Sequence, residues 1–271
     1  MFIERQMVKE VFTGLASLGV INALTNKKSE MKKENYIQKK LSINSNQLKM
    51  IAILAMVVDH CAIVFMPHDF AGMWVLRMIG RMTAPIMCFF IAEGYYHTSD
   101  IRKYMGRLLL MALISHIPHN LCFGNNIWQF WNATDVMFSL LFGLIALTVW
   151  NQERFFVWVK LTAIAICCLF AYSADWNYIA VLWILVFGIF HGNIKRQMIA
   201  FAAVAGIYFI QPFIYGSSYP YISRLGVFLV IPLLMFYRGS RGRKSNFVKW
   251  GFYWFYPVHF VVIYLISRFV V

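Results

Sequence analysis

Residues 48–66 read LKMIAILAMVVDHCAIVFM. This stretch is apolar apart from Lys49 near its start and the adjacent residues Asp59 and His60 beyond its middle. A helix of about 20 apolar residues crosses the roughly 30 Å hydrocarbon core of a bilayer. Lipid offers no water to solvate an ionisable side chain, so such residues at that depth are costly and usually functional. The stretch therefore predicts a membrane-spanning helix that carries a functional site.

The remainder of the chain has the same apolar character. Of the 271 residues, 61% are hydrophobic and 13% are charged, whereas soluble domains carry about 25% charged residues. Apolar runs of roughly 15–25 residues recur without the alternating pattern of membrane strands. We predict an all-α, polytopic bundle of about nine transmembrane helices. The predicted spans are 48–66, 75–97, 104–121, 135–150, 156–173, 178–191, 198–214, 225–237 and 249–270.

The basic residues predict the orientation of the bundle. With a cytoplasmic N-terminus and alternating spans, 21 of the 25 Lys and Arg residues fall in cytoplasmic segments, as the positive-inside rule requires. The other four lie at outer ends and are Arg77, Arg81, Arg224 and Arg268. The net charge of +14 is therefore a topology signal, and no soluble domain remains to bind nucleic acid. We predict a multi-pass protein of the inner (plasma) membrane, in contact with the lipid bilayer.

The chain divides into two predicted parts. Residues 1–46 are basic and contain one apolar stretch, VFTGLASLGVINAL, of about 14 residues, which is too short to span comfortably. We interpret this part as a cytoplasmic or interfacial segment with an amphipathic helix. Residues 47–271 form the predicted transmembrane domain. The five cysteines lie mostly in apolar runs without metal-ligand spacing, so we predict no metal site.

Five titratable residues share a predicted depth in the membrane. A rise of about 1.5 Å per residue places each of them about 13–18 Å from the inner boundary, counted from a basic residue of the same helix. They belong to three spans and are Asp59, His60, His116, His119 and His259. Two adjacent ionisable residues at mid-membrane are hard to explain by packing, so Asp59 and His60 rank first. The three others rank second, because a lone membrane histidine often only hydrogen-bonds a neighbouring helix.

Two arginines lie in the outer half of the second predicted span. Arg77 and Arg81 are four residues apart and share one helix face. They suit either anchoring at the outer interface or pairing with Asp59. Adjacent residues point about 100° apart on a helix, so we expect Asp59 to pair with another helix and His60 to face a cavity.

Three acidic residues lie away from the predicted midplane. Glu93, near the cytoplasmic end of the second span, is a further second-rank candidate for the site. Asp135 and Asp175 lie at outer helix ends, where we interpret them as helix caps rather than catalytic groups.

This set of residues suits acyl transfer. An anionic acyl-CoA would dock on the basic cytoplasmic loops, an acceptor would arrive from outside, and a histidine would take its proton. The loop residues expected to attract the phosphates of CoA are Arg102, Lys103, Arg241, Arg243 and Lys244, although membrane topology alone also explains them. A proton-coupled transporter also places His and Asp at the midplane. A non-catalytic scaffold of a conjugation or secretion complex is the third alternative.

Five stretches of the chain, in this order, resemble the TraX family. They are LKMIAILAMVVDH (48–60), LRMIGRMTAPIMCFFIAEGYYHTSDIRKYMGRLLLMALISHIPHN (76–120), DWNYIAVLWILVFGIF (175–190), IPLLMFYRGSRG (231–242) and KWGFYWFYPVHFVVIYLI (249–266). The resemblance extends over about residues 47–268. It implies a transmembrane acyltransferase fold and an N-acetyltransferase that uses acetyl-CoA, because the family's named activity is N-acetylation of the pilin subunit in conjugation.

The resemblance also implies roles for individual residues. Asp59 and His60 match the family's DH motif, Arg77 and Arg81 its RxxGR motif, and His259 its YPxH motif. We expect His60 to act as general base or transient acyl carrier, and Asp59 to hold charge and geometry. The two arginines would bind the acceptor or stabilise developing negative charge. The acceptor itself stays open between a pilin-like protein, a sugar, a lipid and a small amine.

Overall fold

The computed structural model describes residues 43–67, 70–128, 134–215, 221–237, 239–240, 242 and 246–270. Helices make up most of these residues. From Asn44 onward these residues belong to one compact unit. The apolar stretch of the predicted N-terminal segment lies outside the described residues, and so do Arg241, Arg243 and Lys244.

The first four helices contain most of the predicted site residues. Helix α1 begins with a capping box, in which Asn44 Oδ1 accepts from the backbone N–H of Gln47 (2.9 Å) and Gln47 Oε1 accepts from that of Asn44 (3.0 Å). Asp100 caps α4 by accepting from the backbone N–H of Lys103 at 3.0 Å. The bounds are α1 Ser45–Phe65, α2 Met73–Gly80, α3 Thr83–His97 and α4 Ile101–Cys122.

The second half of the chain continues the bundle. Helices α5 to α8 are Val136–Trp150, Val157–Phe170, Asn177–Ile189 and Ile194–Tyr215. A 3-10 helix, η1, covers Tyr221–Leu229 and runs directly into the short α9, Val230–Met235. The last helix, α10, is Asn246–Val270.

The prediction of an all-α membrane protein is confirmed, and each predicted span coincides with a helix or a pair of consecutive helices. Among the described residues, four segments are long and apolar enough to cross a membrane, Ser45–Phe65, Met73–His97, Ile194–Ile214 and Trp250–Phe269. Shorter apolar helices cover Val136–Trp150, Val157–Phe170, Asn177–Ile189 and Ile222–Met235. The helical class follows from these lengths, and the figure of nine crossings stays a prediction.

Small residues set the closest helix contacts. Helix α7 packs against both α5 and α3, and Gly143 and Gly188 leave room at that contact for Ile184 and Leu147 respectively. This use of glycine where helix backbones approach closely is typical of membrane bundles. The buried leucines and isoleucines of α5 and α7 form the core against which neighbouring helices pack.

Two further glycines hold α2 in place. A side chain at Gly80 would overlap Asp59 on α1, and a side chain at Gly226 on η1 would overlap the backbone carbonyl of Met78 on α2. Helix α2 is thus clamped between α1 and η1, which brings the arginines of α2 and η1 to the same end of the bundle.

We expect Gly226→Ala to lower stability by about 1–3 kcal/mol, because the new methyl group meets a backbone atom that cannot rotate away. Gly106→Ala is the matched control, since nothing lies within 4 Å of a side chain at that helical position. It should be neutral or stabilise by up to about 1 kcal/mol. The thermal unfolding midpoint of the purified protein in detergent measures both, and equal midpoints for Gly226→Ala and wild type would contradict the clamp.

Candidate functional site

Asp59 is held by an ion pair with the neighbouring helix. Arg77 Nη1 on α2 donates to Asp59 Oδ1 at 3.1 Å, and the two side chains are 21% and 12% exposed respectively. Gly80, one turn along α2, lets the Asp59 side chain approach this closely. The prediction that Asp59 pairs with Arg77 or Arg81 is confirmed, with Arg77 as the partner.

His60 does not stand free in a cavity, contrary to our expectation. Its Nδ1 lies 2.9 Å from Nε2 of His259 on α10. The two rings stack with centroids 5.1 Å apart, and His60 also stacks on Phe260, with centroids 4.8 Å apart. The expectation was wrong because sequence spacing gives the direction of a side chain on its own helix, and the face of α10 that meets it is decided by packing.

The hydrogen bonds of His259 assign the protons of this pair. Nδ1 of His259 lies 3.0 Å from the backbone carbonyl of Phe255, and a carbonyl only accepts, so this nitrogen donates. When both rings are neutral, Nε2 of His259 must accept from Nδ1–H of His60. Nε2 of His60 then keeps its lone pair, which is the state that a general base or a nucleophile requires.

His119 joins the same cluster from α4. It contacts Phe260 and Phe123, with ring centroids 5.2 Å and 5.1 Å away, and both of these phenylalanines also contact His60. Nε2 of His119 lies 3.0 Å from Asp175 Oδ2. Nδ1 of His119 is buried and forms no hydrogen bond with any other residue that the structure describes. The carboxylate thus orients the ring and leaves one nitrogen available.

The two acidic residues at the outer helix ends lie close together, because Thr134 and Ala174 form a parallel bridge. Asp135 is a cap, as predicted, accepting from the backbone N–H of Met137 at 3.0 Å, and it also bonds the Ser115 hydroxyl. The cap interpretation is wrong for Asp175, since α7 has no side-chain cap and the carboxylate binds His119 instead.

His116 lies apart from this cluster. Its Nε2 is 3.1 Å from the backbone carbonyl of Ile127, and Asn120 on the same helix contacts its ring. Arg81 also stands apart from the ion pair and lies over the Trp176 ring, with its Cζ 5.0 Å from the ring centroid. The structure therefore gathers Asp59, His60, His119 and His259, and leaves His116 in an ordinary structural contact.

A cavity of about 840 Å³ opens at the end of the bundle that is predicted to be cytoplasmic. Helices α1, α3, α4, α5 and α10 line it, and the lining side chains of α1, α4 and α10 form three stripes at helical spacing. Helix α1 contributes Lys49, Ala52, Ile53 and Met56, α4 contributes Lys103, Tyr104, Arg107 and Leu108, and α10 contributes Phe252, Tyr253 and Tyr256.

The same three stripes lead to the histidines. One turn beyond Met56 on α1 comes His60, and one turn beyond Tyr256 on α10 comes His259. On α4 the stripe continues through the buried Met111 and Ala112 towards His119. The Tyr256 ring closes the deep end of the cavity, 5.2 Å from Phe260 and 5.5 Å from His259 between ring centroids.

The rim of the cavity carries charges of both signs. Lys49, Lys103 and Arg107 line it, whereas Arg102 does not. Lys49 lies over the rings of Phe90 and Phe252, at 4.9 Å and 5.4 Å from their centroids. In the sequence, Lys49 and Arg107 indicate topology and helix depth, although basic residues on the same stripes as the histidines are themselves a signal for an anionic ligand.

Two acidic residues complete the rim. Glu93 lines the cavity and lies 3.0 Å from Nε2 of His191. Asp100 pairs with Lys103 at 3.3 Å, and the backbone N–H of Lys103 lowers the pKa of the Asp100 carboxyl. Within the part of the chain that the structure describes, no three His, Cys, Asp or Glu side chains are arranged to hold a metal ion.

We expect Asp59→Asn and Arg77→Gln each to destabilise the protein by about 1–3 kcal/mol, because each removes one charge of a largely buried ion pair. The double variant should lose less than the sum of the two, since neither charge is then left opposite a neutral group. Unfolding midpoints of the four proteins in one detergent give the coupling energy. Strictly additive losses would show that the pair is not coupled.

Most of the chain matches a known protein family. The TraX protein family matches residues 44–267. A probable fimbrial assembly protein, FimC of serogroup H1, from Dichelobacter nodosus is 31% identical over 245 residues, which is 84% of this chain and 97% of that protein. An uncharacterised protein from Rickettsia prowazekii (strain Madrid E) is 26% identical over 96 residues, which is 35% of this chain and 33% of that protein. No solved structure matches significantly. The chain belongs to the TraX protein family.

Proposed function

We propose that this protein is an acyltransferase of the bacterial inner membrane, which transfers an acetyl group from cytoplasmic acetyl-CoA to an acceptor reached from the outer side. The observation that carries the proposal is the cavity with a basic rim whose lining stripes on α1 and α10 lead to the paired rings of His60 and His259. A volume of about 840 Å³ is within the range of pockets that hold cofactor-sized ligands.

The charged residues at the cavity rim support the binding of CoA. Lys49, Lys103 and Arg107 supply positive charge at the mouth, and guanidinium and ammonium groups are the usual partners of phosphate oxygens. The walls become apolar and aromatic with depth, through Met56, Leu108 and Tyr256. Such a gradient suits CoA, whose charged nucleotide would stay at the rim while the thioester points towards the histidines.

In the proposed acetyl transfer, the reactive group of the protein is the lone pair on Nε2 of His60. As a general base, this nitrogen takes the proton of an acceptor amine or hydroxyl while that group attacks the thioester carbonyl and the thiolate of CoA departs. The proton then passes to the thiolate, so no net charge is left in the membrane. Alternatively, Nε2 attacks the carbonyl itself and the thiolate of CoA departs; in a second step the acceptor attacks the acetyl-imidazole, the bond to Nε2 breaks, and the acceptor's proton neutralises the thiolate.

The other gathered residues support this step. His259 fixes the tautomer of His60, and Arg77 and Asp59 hold the α1–α2 contact beside it. His119, oriented by Asp175, is the second candidate for the base. Membership of the TraX family and the fimbrial assembly relative favour a pilin-like acceptor over a sugar or a small amine.

A proton-coupled transporter is the second candidate, because the His60–His259 and His119–Asp175 contacts also resemble steps of a proton relay. It differs in needing a proton gradient and no CoA. Substrate flux that follows an imposed pH gradient, in vesicles without acetyl-CoA, would favour it.

We expect His60→Ala to abolish acetyl transfer while membrane insertion survives, because the ring supplies the reactive lone pair. The measurement is transfer of label from acetyl-CoA, added on the cytoplasmic side of sealed vesicles, to protein or acceptor. Cys61→Ala is the matched control, since it changes the next residue of α1 and should leave transfer unchanged. Equal transfer by His60→Ala and wild type would remove His60 from the mechanism and move the base to His119.

We expect Lys49→Glu and Lys103→Glu to weaken CoA binding at least 10-fold, because each reverses a charge at the cavity rim. Lys195→Glu is the control, as this exposed lysine near the start of α8 does not line the cavity. Titration of CoA into the purified protein gives the dissociation constants. Unchanged affinity in both rim variants, or no saturable binding by wild type, would contradict the assignment of the cavity.

A further inference from the structure

Two arginines at the opposite end of the bundle lie against a pair of touching aromatic rings. Arg81 ends α2 and places its Cζ 5.0 Å from the centroid of Trp176. Arg224, on η1, places its Cζ 4.3 Å from the centroid of Tyr208. Trp176 and Tyr208 contact each other with centroids 5.4 Å apart. The two guanidinium groups thus lie against two aromatic rings that contact each other.

The packing of the backbone brings these arginines together. Helix α2 and η1 are in direct contact at Gly226 and Met78. Arg224 lies two residues before Gly226, and Arg81 lies three residues after Met78. Their proximity therefore follows from a close backbone contact between α2 and η1.

Neither arginine forms an ion pair within the described residues, in contrast to Arg77, which binds Asp59. Arg224 Nη1 donates to neutral oxygens, the Tyr208 carbonyl at 2.6 Å and Gln211 Oε1 at 3.1 Å. Nε of Arg81 is buried and has no hydrogen-bond partner in this part of the chain.

The nearby carboxylates are already engaged by other groups. Asp59 binds Arg77 and Asp175 binds His119, so they compensate the charge of Arg81 only from a distance. Gln211 is itself fixed by donating to the Tyr178 hydroxyl at 3.2 Å, which holds Arg224 in one position. Two fixed cations in a poorly solvated region are costly unless an anion joins them.

We propose that Arg81 and Arg224 bind an oxyanion, a phosphate or a carboxylate group. Guanidinium groups present several N–H donors in a plane that matches both anions, and stacking on Trp176 and Tyr208 keeps those planes in place. Resting on the proposed acyltransferase function, the second part of the inference is that this anion belongs to the acceptor. Arg81 lies on the helix whose Arg77 holds Asp59, next to His60, so the anion would anchor the acceptor near the reactive nitrogen.

The first experiment measures anion binding without any catalysis. Inorganic phosphate and, separately, acetate are titrated into the full-length protein in detergent at constant ionic strength set by sodium chloride, and the unfolding midpoint is recorded. We expect a saturable rise for at least one anion, with an affinity at least 10-fold weaker in Arg81→Gln and Arg224→Gln. The anion that gives the tighter binding identifies the group as phosphate or carboxylate.

The controls separate binding from folding. Arg268→Gln removes another arginine that lies over an aromatic ring, Tyr264, and should bind the anion like wild type. Arg224→Lys keeps the charge but loses the planar donor set, so it should fold and bind with intermediate affinity. No saturable effect beyond that of chloride, or equal affinity in wild type and the Gln variants, would overturn the proposal.

The second experiment tests the link to the acceptor. In the labelled acetyl transfer assay, the binding anion should compete with the acceptor and leave the apparent affinity for acetyl-CoA unchanged. Competition with acetyl-CoA instead, or anion binding without any effect on transfer, would overturn the acceptor assignment. If no acetyl transfer occurs but the anion still binds, the acyltransferase proposal fails and the oxyanion site stands, so the two failures are distinguishable.

Discussion

The ion pair between Asp59 and Arg77 is the interaction on which the arrangement of the site depends. Charges at this depth cannot rely on water, so α1 and α2 must stay in contact to keep them together. Gly80 makes that contact possible, and the lack of a side chain at Gly226 lets η1 pack closely against the other side of α2. The ion pair and the two glycine contacts therefore fix α1, α2 and η1 relative to one another. The positions of the neighbouring side chains follow from this packing.

His60 takes its direction from that constraint. With Asp59 turned towards α2, the next side chain of α1 points about 100° away and meets α10 at His259 and Phe260. The Phe255 carbonyl then assigns the protons of the imidazole pair. Backbone geometry thus determines which nitrogen of His60 carries a lone pair, without a carboxylate bonded to that ring.

The sequence was sufficient for features that depend on one helix at a time. Hydropathy located the described helices, although it joined α2 to α3 and η1 to α9. Counting from a basic residue placed Asp59 and His60 at the depth of His259. The contact between His60 and His259 depends on how α1 and α10 rotate against each other, which spacing along a single helix does not contain. The local sequence of Asp175 suits a helix cap, and only the approach of α4 gives it His119 as a partner. The sequence likewise did not identify Lys49 and Arg107 as residues of the cavity rim, because both also satisfy the positive-inside rule.

An acyltransferase that works across a membrane must join its two substrates without opening a path for protons. In this structure the cavity proposed to hold the donor is lined at depth by Tyr256, which is 3% exposed, and Phe260 and Phe123 pack around His60 and His119 beyond it. This aromatic layer keeps bulk water on the cavity side away from the imidazoles. In the proposed reaction, a thioester would have to pass the Tyr256 ring to reach His60. In the proposed acyltransferase, the same exclusion of water would protect the acyl group from hydrolysis, which a polar channel would not do.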